Sequence, residues 1–297
     1  MKVGRRAVSI SRPEKVLFDD GVTKGDLVDY YLAVSAAILP HVRKRPMTLE
    51  RYPDGIGSHQ VFTKEIPKYF PEWIERAKLP KAGGHVSYVV CNEKATLAYL
   101  ANQACITMHV GLSRVDTPDD PDQLVFDLDP PEPDAPLLRS VVKEVRAVLD
   151  ELGLAPVVKT SGSKGLHVTV PLDGKESFDD VRPFTRDVAR VVAGRAPDRV
   201  TIEQRKEKRG GRLFLDWYRN AYGATVVAPW TVRARPGAPV AVPLAWEEVE
   251  DSSFHPQMFS MKDAPARAEG PDPWKGWRRR ARSLAAPRRR LDALLAE

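Results

Sequence analysis

Two short apolar segments carry acidic residues where a sheet tolerates them least, and this limits the fold more than any other feature. Asp127 and Asp129 lie in Leu124-Val-Phe-Asp-Leu-Asp-Pro130, and Asp216 lies in Leu213-Phe-Leu-Asp-Trp217. Both runs are rich in strand-favouring residues. Alternate residues of a strand share a face, so Asp127 and Asp129 point the same way, about 6.5–7 Å apart. Carboxylates side by side in an apolar sheet repel one another and are costly to desolvate. A third on a neighbouring strand raises that cost unless cations stand among them. Two divalent ions, Mg²⁺ or Mn²⁺, about 3.5–4 Å apart would meet the need, and that arrangement serves phosphoryl transfer. The alternative is a strand that simply ends here, with both aspartates solvated in an Asp-Leu-Asp-Pro-Pro turn. The tripeptide alone does not decide between them.

Composition narrows the class. A chain of 297 residues with 42% apolar residues can build one large domain or two, each with a real core. No apolar run approaches the roughly 18–20 residues of a membrane span. The start, Met1-Lys-Val-Gly-Arg-Arg6, does not read as a signal sequence. A cytoplasmic location near the nucleoid, with no membrane partner, is expected. Cys91 and Cys105 are too few for a disulfide framework or a thiol-rich zinc site. The net charge of +6 sits wholly in residues 275–297, which hold eight Lys/Arg against two Asp/Glu. Residues 1–274 hold 38 of each sign, so a nucleic-acid surface on the body requires local clustering. Arg205-Lys-Glu-Lys-Arg209 is such a cluster, or else a solvated face.

Along the chain the patterning predicts α+β architecture with mostly antiparallel sheets and surrounding helices. Strands are expected at residues 5–10, 47–52, 59–65, 86–91, 106–110 and 123–129, and again at 157–160, 166–171, 200–202, 212–217 and 225–228. Thr23 reads as a helix N-cap with Asp26 as its box partner, opening a helix to about residue 39 that Pro40 ends. Further helices are expected near 73–77, 93–104, 135–152 and 178–193, and a loop at 116–122. Residues 274–297 read as a basic amphipathic helix interrupted at Pro287. The boundary predicted is a catalytic domain over 1–255 and a basic helical tail over 256–297.

Between two strand-like runs lies Thr160-Ser-Gly-Ser-Lys-Gly-Leu-His167. It is not a Walker A loop, because the spacing differs and no helix follows. Gly162 and Gly165 permit a tight turn and close backbone approach. Ser161 and Ser163 offer hydroxyls, Lys164 a point charge and His167 a ring nitrogen, a set able to cradle a triphosphate beside carboxylate-bound metal. A polar hairpin tip with a chance lysine is the plainer reading. Arg233, in Pro229-Trp-Thr-Val-Arg-Ala-Arg235, could add charge for phosphates or be an ordinary surface arginine.

Taken together, these residues resemble the polymerase (primase-polymerase) domain of bacterial non-homologous end-joining DNA ligase D, of the archaeo-eukaryotic primase superfamily. The resemblance covers about residues 5–250 and rests on Val125-Phe-Asp-Leu-Asp-Pro130, residues 160–167 and Phe214-Leu-Asp-Trp217 in family order. It implies a primase-type catalytic core, β-rich subdomains with helices around a cleft. It implies that Asp127, Asp129 and Asp216 hold two divalent ions, and that Ser161, Lys164, His167, His109 and Arg233 meet the nucleoside triphosphate. It further implies that Lys15 and Lys24 grip the 5′-phosphate of a DNA end or gap, and that Phe62 stacks on the template. Implied partners are such ends, nucleoside triphosphates, a Ku-like protein and a separate DNA ligase. For His109 the alternative is a satisfied, half-buried histidine, and for Phe62 it is core packing.

The chain departs from the family pattern at several points. Val61 stands where many relatives carry a second aromatic, Arg12 where many carry Asn, and Arg219-Asn220 where Gln-Asn is common. No stretch reads as a ligase or nuclease module. The expected activity is template-dependent primer extension from ribo- or deoxynucleoside triphosphates at breaks and short gaps. A metal-dependent nuclease, or a non-catalytic DNA-end-binding module, would share part of this residue set.

Overall fold

The apolar runs pair as antiparallel neighbours in two six-stranded sheets, each belonging to its own structural unit. The structure is a computed structural model and describes residues 1–296; Glu297, the end of the expected tail, lies outside them. One unit comprises Met1–Asp116, Thr225–Val242 and Phe259–Pro271. The other comprises Thr117–Ala224, Pro243–Met258 and the chain from Asp272 onward. The α+β class with mostly antiparallel sheets is as the patterning predicts. No helix among the described residues is long and apolar enough to cross a membrane.

In the first unit the strand order is Thr225–Val227, Cys105–Gly111, Met47–Arg51, Gly84–Val89, Arg76–Lys81, with Val61–Thr63 also paired to Met47–Arg51. The helices Lys24–Ala33 and Lys94–Asn102 pack on one another. Thr23 and Asp26 form the expected capping box, with Thr23 N donating to Asp26 Oδ2 at 2.8 Å and Asp26 N to Thr23 Oγ1 at 3.2 Å. The single helix expected up to Pro40 is two, divided at Val34, and Pro40 lies inside the second, Ser35–Val42. The short helix expected near 73–77 is absent. Instead Arg76–Lys81 is an edge strand, where Pro80 needs no ladder donor and exposed basic side chains mask the alternation. The first expected strand shrinks to Arg6–Ala7, paired with Lys2–Val3.

In the second unit the order is Val200–Thr201, Leu213–Asp216, Gln123–Asp129, Leu166–Pro171, Val157–Thr160, Pro243–Leu244. All neighbours run antiparallel except the first pair. Leu124, Val125, Phe126, Leu128 and every residue of Leu166–Pro171 are buried, which is why these central strands read as continuous apolar runs. Helices Ala135–Glu151 and Phe178–Arg195 pack together. Asp134 caps the first by accepting from Leu137 N at 2.8 Å, and Gly153 follows its end with φ +76°, a left-handed turn that glycine adopts without strain. The expected loop at 116–122 contains the strand Thr117–Pro121.

The basic C-terminal segment is not one helix. It forms a 3₁₀ turn, Trp277–Arg280, then the helix Ala285–Ala296, with Pro287 in its first turn, where a missing N–H costs nothing. The segment straps the second unit. Trp274 Nε1 donates to Val158 O at 2.9 Å, Trp274 and Trp277 pack with Val157, and Arg278 meets Asp122 at 3.1 Å. Glu176 Oε1 accepts from Ser283 Oγ at 2.7 Å, and Arg288 meets Asp187 at 3.0 Å. Trp274→Ala removes a buried ring and leaves the Val158 carbonyl without its donor. It is expected to cost about 3–5 kcal/mol, read as faster amide exchange along Val157–Thr160 and a lower urea midpoint for this unit.

Candidate active site

Register, more than loop geometry, assembles the acidic site of the second unit. Asp127 is paired in register with Asp216 on one side and His167 on the other, and His167 is paired in turn with Lys159. Lys159, His167, Asp127 and Asp216 therefore form one row across four strands, on one face, with neighbours about 4.5–5.5 Å apart at Cβ. Asp129 lies two residues farther along the same strand, paired with Phe214. The three carboxylates share a face, as their alternation predicts.

They do not form a closed cage: among the described residues no group of three or more His, Cys, Asp or Glu is arranged to hold one ion. Basic side chains stand among them instead. Arg219 Nε is 3.1 Å from Asp216 Oδ2 and 4.0 Å from Asp127 Oδ2. His167 Nε2 is 3.5 Å from Asp127 Oδ1. Lys164 Nζ and an Arg209 nitrogen reach Asp129 at 3.3 and 3.6 Å. Like charges held on one face need counter-charge, and here side chains supply it. Tyr218 N donates to Asp216 Oδ1 at 2.8 Å and fixes that carboxylate's rotation.

The turn at 160–167 is built around Ser161. Its Oγ accepts from Ser163 N and Gly165 N, each at 3.2 Å, while Ser161 N donates to Gly165 O at 3.0 Å. Gly162 has φ +65°, and any Cβ at Gly165 would collide with the Leu128 carbonyl oxygen. The turn thus rests directly on the strand that carries the acids. Lys164 leans back over that strand, its Nζ also donating to Pro131 O at 3.0 Å. Ser161, Lys164, His167 and the three aspartates form one cluster.

The other predicted residues belong to the first unit and form two groups. His109 is cross-strand to Thr48, and Phe62 to Glu50, on one sheet face. His109 Nε2 contacts Glu50 Oε2 at 2.9 Å, and the Phe62 and His109 ring centroids are 5.8 Å apart. Glu50 also accepts from Tyr52 Oη at 2.8 Å and Gln60 Nε2 at 2.7 Å. Burial works to raise the Glu50 pKa, but hydrogen bonds from His109 and Tyr52, with the charges of His109 and Arg233, outweigh it and hold Glu50 below its usual value. Phe62 is 58% exposed and lies outside the buried core.

Lys15 and Lys24 form the second group. Lys24 is buried, with Nζ 3.2 Å from Ser11 Oγ, and Lys15 Nζ meets Asp54 Oδ1 at 2.7 Å. Burial, then the charges of Arg12 and Lys15, push the Lys24 pKa down. Cations crowded this closely make an anion-receptive corner. Arg12 sits at φ +47°, a left-handed conformation that Asn adopts more readily than Arg.

Several participants were not picked out from sequence. Glu50 is one; only its alternation with Thr48 on the His109-facing strand would have marked it. Lys159, buried three residues before Gly162 of the turn, is another. Arg209 looked like part of a charge run, yet it covers the Phe214 ring at 3.9 Å and donates to the Glu203 and Gln204 carbonyls. Asn220, fully buried, binds both backbone groups of Val125 and the Trp217 carbonyl, so it ties the Asp216 turn to the Asp127 strand.

Burial first, then the Asp216 charge, drive the Asp127 pKa up to about 6; Arg219 opposes and Asp129 adds to the rise. A carboxyl whose native pKa lies above its ordinary 3.8 binds more protons folded than unfolded. This group therefore costs the metal-free protein stability as pH rises from about 4 to about 6. Asp127→Asn should remove that part of the pH dependence. Thermal melts from pH 4 to 7 check it, and parallel curves for wild type and variant would contradict it.

Residues 23–274 match the family described as LigD, primase-polymerase domain. The chain is 36% identical over 256 residues to the multifunctional non-homologous end joining protein LigD of Mycolicibacterium smegmatis, covering 85% of this chain and 34% of that protein. It is 32% identical over 251 residues to the bifunctional non-homologous end joining protein LigD of Bacillus subtilis, covering 84% of this chain and 40% of that protein. The chain thus spans little more than a third of the length of these relatives. A solved polymerase domain of Mycobacterium tuberculosis ligase D, in complex with DNA, superposes with a TM-score of 0.86 at 32% identity, covering 93% of this chain and 99% of that one. With a match that runs over most of its length in both sequence and fold, the chain belongs to the family of LigD primase-polymerase domains.

Proposed function

We propose that this chain is a template-dependent nucleotidyltransferase that extends DNA primers from nucleoside triphosphates at breaks and short gaps, in end joining or gap repair. The observation that carries the reading is the register pairing of Asp127 with Asp216, with Asp129 on the same face and the 160–167 turn against the same strand. A nuclease would need the acids but not a turn suited to a triphosphate.

Metal dependence is a property of LigD polymerase domains, and the donor set here fits it. Carboxylate oxygens are hard ligands for Mg²⁺ or Mn²⁺, and a carboxyl lifted by burial and then by two neighbouring acids is relieved by a divalent cation. Asp127, Asp129 and Asp216 would hold two such ions, which when bound would activate the primer 3′-hydroxyl and neutralise the leaving pyrophosphate. Lys164 and His167 flank the acids and Ser161 organises the turn beside them; in this reading these three residues orient the triphosphate. Arg233 and His109, charge-linked through Glu50, are the first unit's proposed phosphate-binding residues. Phe62, exposed and against His109, offers a stacking face for a template base, worth roughly 1–3 kcal/mol. The Lys15–Lys24 corner takes the 5′-phosphate of the far side of a gap. A Ku-like protein and a separate DNA ligase are the expected co-workers, at the chromosome in the cytoplasm.

Asp127→Ala and Asp216→Ala should each lower primer extension by roughly 10²–10³-fold, the scale of removing a charge-stabilising group, with circular dichroism unchanged. The assay is a gapped duplex with Mn²⁺ and labelled primer; full extension by either variant would refute the assignment. Lys15→Ala and Lys24→Ala should each weaken binding to a 5′-phosphorylated gap about tenfold or more and leave a 5′-hydroxyl gap nearly unaffected, since a charge-assisted contact contributes about 1.5–3 kcal/mol. Fluorescence anisotropy with the two gaps reads this directly. An unchanged preference would remove these lysines from the phosphate site.

A further inference from the structure

The three longer cations around the acidic row are not held alike. Arg209 is fixed: its side chain is 16% exposed, donates to two carbonyls and lies on the Phe214 ring before it reaches Asp129. Lys164 is tied to Pro131 O as firmly as to Asp129. Arg219 has no second anchor. Its side chain is 49% exposed, and its only side-chain polar contacts among the described residues are to Asp216 and Asp127. Its backbone, by contrast, is pinned, because the next residue, Asn220, is buried and bound to Val125 and Trp217. The root is rigid and the guanidinium is loose.

A divalent ion held by Asp127 and Asp216 would need their oxygens at about 2.0–2.6 Å. The guanidinium, 3.1 Å from one carboxylate and 4.0 Å from the other, occupies that space. Both cannot be there. Leaving is cheap for Arg219, since a half-exposed ion pair is weak. Its planar fork suits a phosphate as well as a carboxylate. A nucleoside triphosphate that arrives with divalent metal brings both the ion that evicts the arginine and a new anion for it.

We infer that Arg219 is an exchangeable counter-ion: it neutralises Asp127 and Asp216 before metal binds, gives them up to the ion, and transfers to the triphosphate of the incoming nucleotide. The inference rests on the proposed polymerase reading and deepens it. Arg219 becomes the positioning residue that couples metal loading to nucleotide loading. Without nucleotide it competes with the ion; with nucleotide it no longer does.

Calorimetric titration of the full chain with Mn²⁺, with and without a nucleoside triphosphate and with no DNA present, tests this without turnover. Arg219→Gln should bind Mn²⁺ roughly two- to fivefold more tightly than wild type in the absence of nucleotide, the scale of losing one exposed ionic competitor. A merely structural arginine would give the opposite sign. The gain in Mn²⁺ affinity on adding nucleotide, corrected for the nucleotide's own Mn²⁺ binding, should be smaller in Arg219→Gln than in wild type. Equal or weaker Mn²⁺ binding by a variant with native circular dichroism overturns the inference, and so does an equal nucleotide gain. Asp127→Ala in the same titration separates the two levels. If Asp127→Ala binds Mn²⁺ as wild type does, the metal-site reading itself fails. If it loses Mn²⁺ while Arg219→Gln is unchanged, only the exchange fails.

Discussion

The second unit depends on one cross-strand alignment, in which Lys159, His167, Asp127 and Asp216 face one another across four strands. A shift of one residue in the pairing of Gln123–Asp129 would turn Asp127 and Asp129 to the opposite face and bring Phe126 and Leu128 to this one. Register is therefore the quantity the surrounding structure must defend. The apolar partners of the same strands defend it, since Leu124, Phe126 and Leu128 are fully buried. Asn220 adds a polar lock by taking both backbone groups of Val125. The charges in the row run from basic to acidic, so the repulsion between Asp127 and Asp216 is answered within the sheet before any ligand is considered.

The acidic strands were legible in the sequence because a carboxylate within an apolar run is anomalous in itself. The turn at 160–167 was legible because its glycines and hydroxyls have few other uses between two strands. The central strands and the two longest helices, Ala135–Glu151 and Phe178–Arg195, followed from patterning. Less visible were features that arise only from pairing. Lys159 becomes part of the row through its partner His167, and nothing local says so. Glu50 looks like any strand glutamate until Cys105–Gly111 is laid beside it. The Arg76–Lys81 strand was hidden because an exposed edge carries lysines, arginine and proline, whose local signal is not that of a strand.

The first unit shows the same economy in another form. Its sheet face collects Glu50, His109 and Phe62 from three strands, and the carboxylate keeps the imidazole and the nearby Arg233 charge in balance. The Lys15–Lys24 corner is kept by backbone: Lys24 N donates to Lys15 O at 2.8 Å and Gly25 N to Pro13 O at 2.8 Å, so the segment before the helix folds against its first turn. The two lysines arrive together because the chain between them closes on itself. The positive helix end lies beside the same corner and favours an anion there.

Gly165 has a wider consequence. With no room for even a methyl group between it and the Leu128 carbonyl, the loop that carries Lys164 and the ribbon that offers acids are in hard contact. Neither can drift without pushing the other. A molecule built this way has a fixed gauge between its two halves of ligand chemistry, set by atomic radii instead of by any bond. Insertions or bulkier residues in the loop would be read out as misplaced acids, so this stretch of chain is free to vary only outside that point of touch.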